Sequence, residues 1–403
     1  MSGPLSGIKV LDLSSVVFGP FCTQQLGDLG ADIIKIEAPE GDTTRTTGPR
    51  RSSHMAALFM GLNRNKRSIV LDLKKNQGQE ALWRLIDNAD VFIHSIRPQK
   101  IEKLGFGHSN VLARYPGIIY AGLHGYRADG PYAGQPAYDD VIQGQSGTAD
   151  LMARLTGEPR YTPTIIADKT VGLYAANAIS AALVFRERTG KGQFVEIPMY
   201  ECMTAFNLVE HLFAATFDPP LEGGMGYTRV LAQWRRPYKT SDGHICMLAY
   251  TDPQWKNFWS EVGMAEMHID PRFESLGSRS DNINELYEIA GKIMISRTTD
   301  DWIKTLNQLE IPCARITKIE DLPNDPHLSN IGFFKNHQHP TEGDVILPDI
   351  PVRFSESPAE IAKLQPNMGE HSREILEEAG FSEKEISEMF RSGVTKDWGR
   401  SGR

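Results

Sequence analysis

Asp168 closes the run Thr164-Ile165-Ile166-Ala167-Asp168 and opens a long apolar stretch, so a carboxylate stands where a helix begins. Free N–H groups and the helix dipole stabilise negative charge there, and the residue reads first as an N-cap. The same placement orients a carboxylate for nucleophilic or acid–base work. His124 follows the apolar run 118–122, and the ends of parallel strands are where open sheets place their sites. It is either a buried structural histidine or a substrate contact. Tyr138-Asp139-Asp140, with Gln143 and Ser146-Gly147 behind it, is a solvated helix start or part of the same site. Asn63-Arg64-Asn65-Lys66-Arg67 is a basic patch just before a strand, either a solvated loop or a seat for a phosphate-rich ligand.

Other chemistries lack their residues. Gly19, Gly27 and Gly30 do not have the dinucleotide spacing, and no phosphate-binding GxxxxGK[ST] loop occurs. Gly144-Gln145-Ser146-Gly147 only approximates a nucleophile elbow. Cys22, Cys202, Cys246 and Cys313 are far apart and form no ligand box, so neither a metal site nor a disulfide framework is expected.

The elements that must hold these residues alternate. Residues 8–13, 32–38, 68–73, 91–96, 118–122 and 193–198 are short apolar runs of the kind that form buried parallel strands. Helical stretches at 18–30, 78–88 and 170–185 separate several of them, which predicts an α/β fold with an open Rossmann-like parallel sheet. Pro and Gly break the pattern at 218–227, read as a linker. A hairpin about Ser241-Asp242-Gly243 and helices at 253–262, 282–294 and 299–309 follow, a smaller α+β region. Short strands at 344–354, helices at 369–379 and 383–389, and a frayed tail from 391 close the chain.

The 403 residues are enough for two or three domains. Lys and Arg number 43 against 51 Asp and Glu, a net charge of −8, which gives no global field for nucleic acid. No apolar run reaches membrane-spanning length, and the N-terminus lacks the pattern of a signal peptide. A cytoplasmic enzyme without a membrane or nucleic-acid partner is expected.

Residues 5–45, 63–74 (NRNKRSIVLDLK), 96–106 (IRPQKIEKLGF), 124–147 (HGYRADGPYAGQPAYDDVIQGQSG), the Asp168 helix ending in RTGKGQFVEIPM, 311–328 and 369–381 (GEHSREILEEAGF) carry, in order, a resemblance to the class III CoA-transferases, the CaiB/BaiF family. The resemblance implies a discontinuous large Rossmann-like domain (1–220 and 327–403), a small α+β domain (221–326) and an interlocked homodimer. It implies coenzyme A thioesters as substrates with no tightly bound cofactor, and small carboxylic acids as partners in exchange. The family's nucleophile falls on Asp168. Arg64, Lys66 and Arg67 fall where relatives hold CoA phosphates, and Ser95, Ile96, Lys103 and Leu104 near the adenine and pantetheine channel. Tyr138 and Asp139 match a pair lining the reaction centre. His124 stands where some relatives carry Lys, which suggests a polar or cationic substrate contact.

Some positions depart from the family pattern. The histidine of the family's 2-methylacyl-CoA racemases falls on Tyr138, and a phenol with an unperturbed pKa near about 10 is a poor base. A family Gln near the CoA pocket is Val17, and the long glycine loop of the formyl-CoA branch is not evident. Gly223-Gly224-Met225-Gly226 is a candidate source of oxyanion donors. Arg229, Arg235 and Arg236 flank the linker, either as surface charge or as a seat for a second substrate carboxylate. The alternatives to CoA transfer are a racemase, a non-catalytic CoA-binding protein and, disfavoured by the missing glycines, a dinucleotide oxidoreductase.

Overall fold

A computed structural model describes residues 2–398. Six strands, β1 (Lys9–Leu13), β2 (Asp32–Glu37), β3 (Lys66–Val70), β4 (Val91–His94), β5 (Ile119–His124) and β6 (Gln193–Pro198), form one sheet. Their order is β3-β2-β1-β4-β5-β6, and every neighbouring pair is parallel. This is the doubly wound order, in which the chain leaves β1 and β4 toward opposite edges and opens a crevice at their carboxyl ends.

Successive side chains in these strands feed opposite cores, because a strand repeats every two residues. Val10, Ile33, Ile93 and Ala121 join one core with Phe18, Cys22, Leu26, Val171, Ala175 and Ile179. Leu11, Ile34, Phe92 and Tyr120 join the other with Leu82, Leu85, Ile375, Leu376 and Ile386. The first core is closed by the helices Phe18–Asp28 and Ile166–Thr189. Gly172 lets these two approach closely: a Cβ there would lie 3.1 Å from the Phe18 carbonyl oxygen. The second core takes the helices Asn76–Asp87, Ser372–Glu378 and Glu383–Arg391, so the end of the chain returns to the sheet built by its beginning.

By contacts the chain divides into two units. One holds the chain up to Ser146, Thr162–Phe206 and the chain from Ser329 onward; the other holds Gly147–Tyr161 and Asn207–Leu328. The second unit therefore takes in residues 147–161, and its longer stretch starts at 207, against the 221 expected for the small domain. Its sheet joins β7 (Tyr238–Lys239), β8 (His244–Met247) and β9 (Cys313–Arg315), with β7 and β8 antiparallel about the expected turn. Trp255, Phe258, Trp259, Leu286 and Trp302 form its core.

Two expectations change. β3 begins at Lys66, two residues before its predicted start, because Lys66 and Arg67 are buried strand residues and not a solvated loop. The segment after Arg391, expected to fray, is tied down: Thr395 Oγ1 donates to the Val70 carbonyl at 2.7 Å and Ser372 Oγ to the Lys396 carbonyl at 2.8 Å. Residues 399–403 of that tail lie outside the described residues. Among the described residues no helix is long and apolar enough to cross a membrane.

Arg67 clamps β3 to the returning chain. Its guanidinium meets Asp32 at 2.6 Å, Glu374 at 2.8 Å and Glu378 at 2.7 Å. Arg67→Ala removes the buried cation that these carboxylates share, and because Glu374 and Glu378 are 55% and 41% exposed and Asp32 keeps Lys363 at 3.9 Å, a loss of about 1–2 kcal/mol in unfolding free energy is expected. Denaturant titration checks this; an unchanged midpoint would show that the clamp is decorative.

Candidate active site

A cavity of about 430 Å³ opens at the carboxyl ends of β1, β4 and β5, within the first unit. The loop after β1 lines it with Ser15, Val16, Val17 and Phe18, and the segment after β4 with Ser95, Ile96, Arg97, Pro98 and Lys100. His124, Gly125, Tyr126 and residues 134–138 come from the end of β5 and beyond, and Asp168 and Met199 complete the wall. The position is the switch point of the sheet, where its topology leaves room for a ligand.

The β1 loop is strained and is held by buried charge. Val16 has φ 70°, a conformation unfavourable for a β-branched residue. Asp42 accepts from the Val16 amide at 3.3 Å and pairs with Lys35 at 2.8 Å. Lys35 Nζ also donates to the Ser14 carbonyl at 3.1 Å, and Asp12 accepts from the Ser14 amide at 3.0 Å and from the Ser14 hydroxyl. Lys66 meets Asp12 at 3.2 Å and donates to the Pro20 carbonyl at 2.9 Å. The Ser15 amide donates to Ser95 Oγ at 3.2 Å, joining the β1 and β4 loops.

Asp168 is the third residue of the helix Ile166–Thr189, whose N-cap, Ile165, offers no side-chain bond. The N-cap reading therefore moves to another residue. Asp139 Oδ1 accepts from the amides of Ala167 at 2.7 Å and Asp168 at 3.1 Å, the two donors a capping side chain normally takes. Gln143 holds the other Asp139 oxygen at 2.6 Å. Relieved of capping, Asp168 is 7% exposed and its carboxylate, among the described residues, accepts no hydrogen bond. Burial first, and the neighbouring Asp139 charge second, push its pKa up to about 7. Asp139, expected to line the reaction centre, instead sits behind Asp168 and orients it.

His124 ends β5 and lies 3.5 Å by Nδ1 from Glu196. Burial holds its pKa below the usual value despite that carboxylate. The uncharged ring is thereby favoured. Tyr138 is 66% exposed and lines the cavity, as do Ser95 and Ile96.

The remaining expected residues are elsewhere. Arg64 pairs with Asp28 at 2.7 Å, Lys66 with Asp12, and Arg67 with the carboxylates of its clamp, and none of the three lines the cavity. These cations face internal carboxylates and not this cavity, in contrast to the CoA-phosphate role expected of them. Lys103 and Leu104 also miss the cavity wall; Lys103 faces solvent and Leu104 packs on the second core. Arg229 belongs to the second unit, where it donates to the hydroxyls of Tyr227 at 3.2 Å and Tyr287 at 3.4 Å. In the candidate oxyanion loop, the Gly226 amide is occupied by the His211 carbonyl at 2.8 Å. Arg97 and Lys100, which no sequence motif singles out, line the cavity just past the end of β4, a position readable only once the strand order is known.

A family model described as CoA-transferase family III matches residues 5–372. The human protein named succinyl-CoA:glutarate CoA-transferase is 30% identical over 396 residues, covering 97% of this chain and 90% of that protein. A formyl-CoA:oxalate CoA-transferase of Escherichia coli (strain CFT073) is 29% identical over 416 residues, 96% of this chain and 99% of that one. A crystal structure of a CAIB/BAIF family protein from Brucella suis superposes with a TM-score of 0.77 at 31% identity, covering 94% of this chain and 100% of that one. That of Rv3272 from M. tuberculosis gives a TM-score of 0.80 at 28% identity, covering 92% and 98%.

Asp139→Asn keeps an oxygen for the two helix amides and removes the adjacent charge. Ionised Asp168 is then less disfavoured, so its titration is expected to move to lower pH, by about one unit. Carboxyl-carbon NMR reads this directly. An Asp168 titration that stays in place in the folded variant would show that Asp139 does not set it.

Proposed function

The chain belongs to CoA-transferase family III, and we propose that it moves CoA between carboxylic acids with Asp168 as the covalent carrier. An Asp168 oxygen attacks the carbonyl carbon of an acyl-CoA; the C–S bond breaks and CoA leaves as thiolate, giving an acyl–aspartyl anhydride. The thiolate attacks the Asp168 carbonyl carbon, and the donor acid departs as carboxylate with the bridging oxygen. The aspartyl-CoA thioester left behind is attacked by the acceptor carboxylate, releasing thiolate and forming a second anhydride. Thiolate attack on the acceptor carbonyl of this anhydride gives the new acyl-CoA and restores Asp168. No water enters, so the thioester's energy is conserved, and one difficult exchange is divided into easier acyl transfers.

The observation that carries this reading is the bare carboxylate in the cavity. Burial without a cation or hydrogen bond disfavours charge on Asp168, and the same burial favours the uncharged anhydride and thioester that replace it. A pKa of about 7 leaves a substantial ionised fraction at neutral pH, available to attack. Succinate and glutarate are the first acceptors to try, after the human relative's name. The racemase alternative has no comparable support, since Tyr138 stands where its base would be.

We also propose a homodimer. The helix Ile166–Thr189 is buried along one side, yet exposes Leu173, Tyr174, Val184 and Phe185, a row of large apolar side chains that a second copy would cover. A sedimentation mass equal to one chain would rule this out.

With succinyl-CoA as donor and a panel of carboxylates as acceptors, new acyl-CoA is expected by mass spectrometry. Asp168→Ala and Asp168→Asn are expected to lose at least about a thousandfold in rate. Full exchange by the folded Ala variant would overturn the carrier role.

A further inference from the structure

Lys66 is a buried ammonium that the acyl transfers do not use. Its Nζ meets Asp12 Oδ2 at 3.2 Å and donates to the Pro20 carbonyl at 2.9 Å and to Asn63 Oδ1 at 3.0 Å. A charged ammonium has three N–H donors, and these three acceptors take all of them. Asp12 lies in β1 and Pro20 in the first turn of the helix Phe18–Asp28, so one side chain fastens both ends of the loop 14–17. That loop supplies Ser15, Val16 and Val17 to the cavity wall.

We propose that Lys66 is a positioning residue for CoA transfer: its charged form staples the loop 14–17 in the shape that lines the cavity, and losing the proton slackens that wall and slows exchange. The proposal rests on the CoA-transferase reading above, whichever acids are exchanged.

The neutral amine has two donors and a lone pair, so one of the three buried acceptors then goes unpaired. A movement of the loop reaches the nucleophile's helix. A Cβ on Gly19 would overlap Ser14 Oγ, so the loop is closed on itself, and the Phe18 carbonyl lies against Gly172, one turn after Asp168. Asp12 from β1 and Asp42 after β2 favour charge on Lys66, and Lys35 from β2 opposes it. From the helix Phe18–Asp28, Asp28 also faces it but is paired with Arg64, and Cys22 keeps its proton because burial pushes the thiol up. Burial outweighs the carboxylates and brings the Lys66 pKa down to about 8. Lys35 is held above its usual value, so the Ser14 carbonyl keeps its cation when Lys66 loses its charge. The folded chain holds the Lys66 proton more weakly than the unfolded chain, whose value is 10.5. Unfolding therefore takes up a proton between these values, and this group makes the fold more stable as pH rises through that window. A rate lost there reflects a displaced wall and not an unfolded chain.

The pH dependence of exchange by the full chain, with Lys66→Met and Lys66→Arg beside it, tests the assignment. The parent's rate is expected to fall on the alkaline side with an apparent pKa of about 8, while its denaturant midpoint holds. Lys66→Met carries no charge at any pH; it is expected to be about ten- to a hundredfold slower at neutral pH and to lack the alkaline limb. Lys66→Arg stays charged through this range, so it should recover most of the neutral-pH rate and also lack the limb. Carbon NMR of the parent's lysine side chains needs no variant, and one signal should titrate near about pH 8, well ahead of the others. A folded Met variant that matches the parent at neutral pH, or keeps the alkaline limb, overturns the positioning role. So does a parent in which every lysine holds its proton to about pH 10. A parent that exchanges CoA between no pair of acids overturns the CoA-transferase reading and this role with it, whereas variants that match an active parent overturn this role alone.

Discussion

Three carboxylates and three cations share one buried cluster beneath the carboxyl ends of β1 and β2, with Lys66 reaching in from the start of β3, and the cavity depends on it. Asp12 pairs with Lys66, Asp42 with Lys35, and Glu37 with Arg45 at 2.7 Å, all nearly without solvent exposure. Burial alone would raise the carboxyl pKa values. The adjoining cations outweigh it, and Asp12, Glu37 and Asp42 are all held below the usual carboxylate range. Such pairs contribute little net stability against apolar replacements, since desolvation offsets the attraction. What they contribute here is position: their spare donors and acceptors take the Ser14 amide, hydroxyl and carbonyl and the Val16 amide. Val16 keeps its unfavourable φ because this cluster over-determines the loop.

Against that background Asp168 is treated differently. Asp12, Asp28, Glu37 and Asp42 each have a cation, and Asp139 has two amides and Gln143. Asp168 has a carboxylate neighbour and no partner among the described residues, and its pKa moves opposite to those of the sheet cluster. The fold uses paired carboxylates to build the wall and an unpaired one to face the cavity. Asp139 does both tasks for Asp168, capping the helix that carries it and raising the cost of its charge.

Much of the sheet was legible because buried parallel strands are short apolar runs whatever they serve. β3 was placed late because its first two residues are Lys66 and Arg67, and charge in sequence looks like solvent exposure until its partners are known. Those partners are remote: Arg64 meets Asp28, 36 positions away, and Arg67 meets Glu378, 311 positions away. A basic patch that binds phosphate and one that neutralises internal carboxylates have the same composition, and only the folded partners tell them apart. Asp168 itself was visible, though its capping role belongs to Asp139, 29 positions away. Arg97 and Lys100 carry no local motif, and their place in the cavity wall follows only from their standing after β4 beside the switch point.

The central claim is that an Asp168 oxygen enters the reaction. Turnover with an acceptor acid labelled by heavy oxygen in its carboxylate tests it without relying on a variant. When thiolate opens the second anhydride, the bridging oxygen from the acceptor stays on Asp168. After turnover in unlabelled water, the proteolytic peptide holding Asp168 should therefore gain heavy oxygen, localised to that side chain by fragmentation. A peptide that stays unlabelled while labelled acyl-CoA accumulates would contradict the account, because CoA would then have moved between the two acids without passing through Asp168.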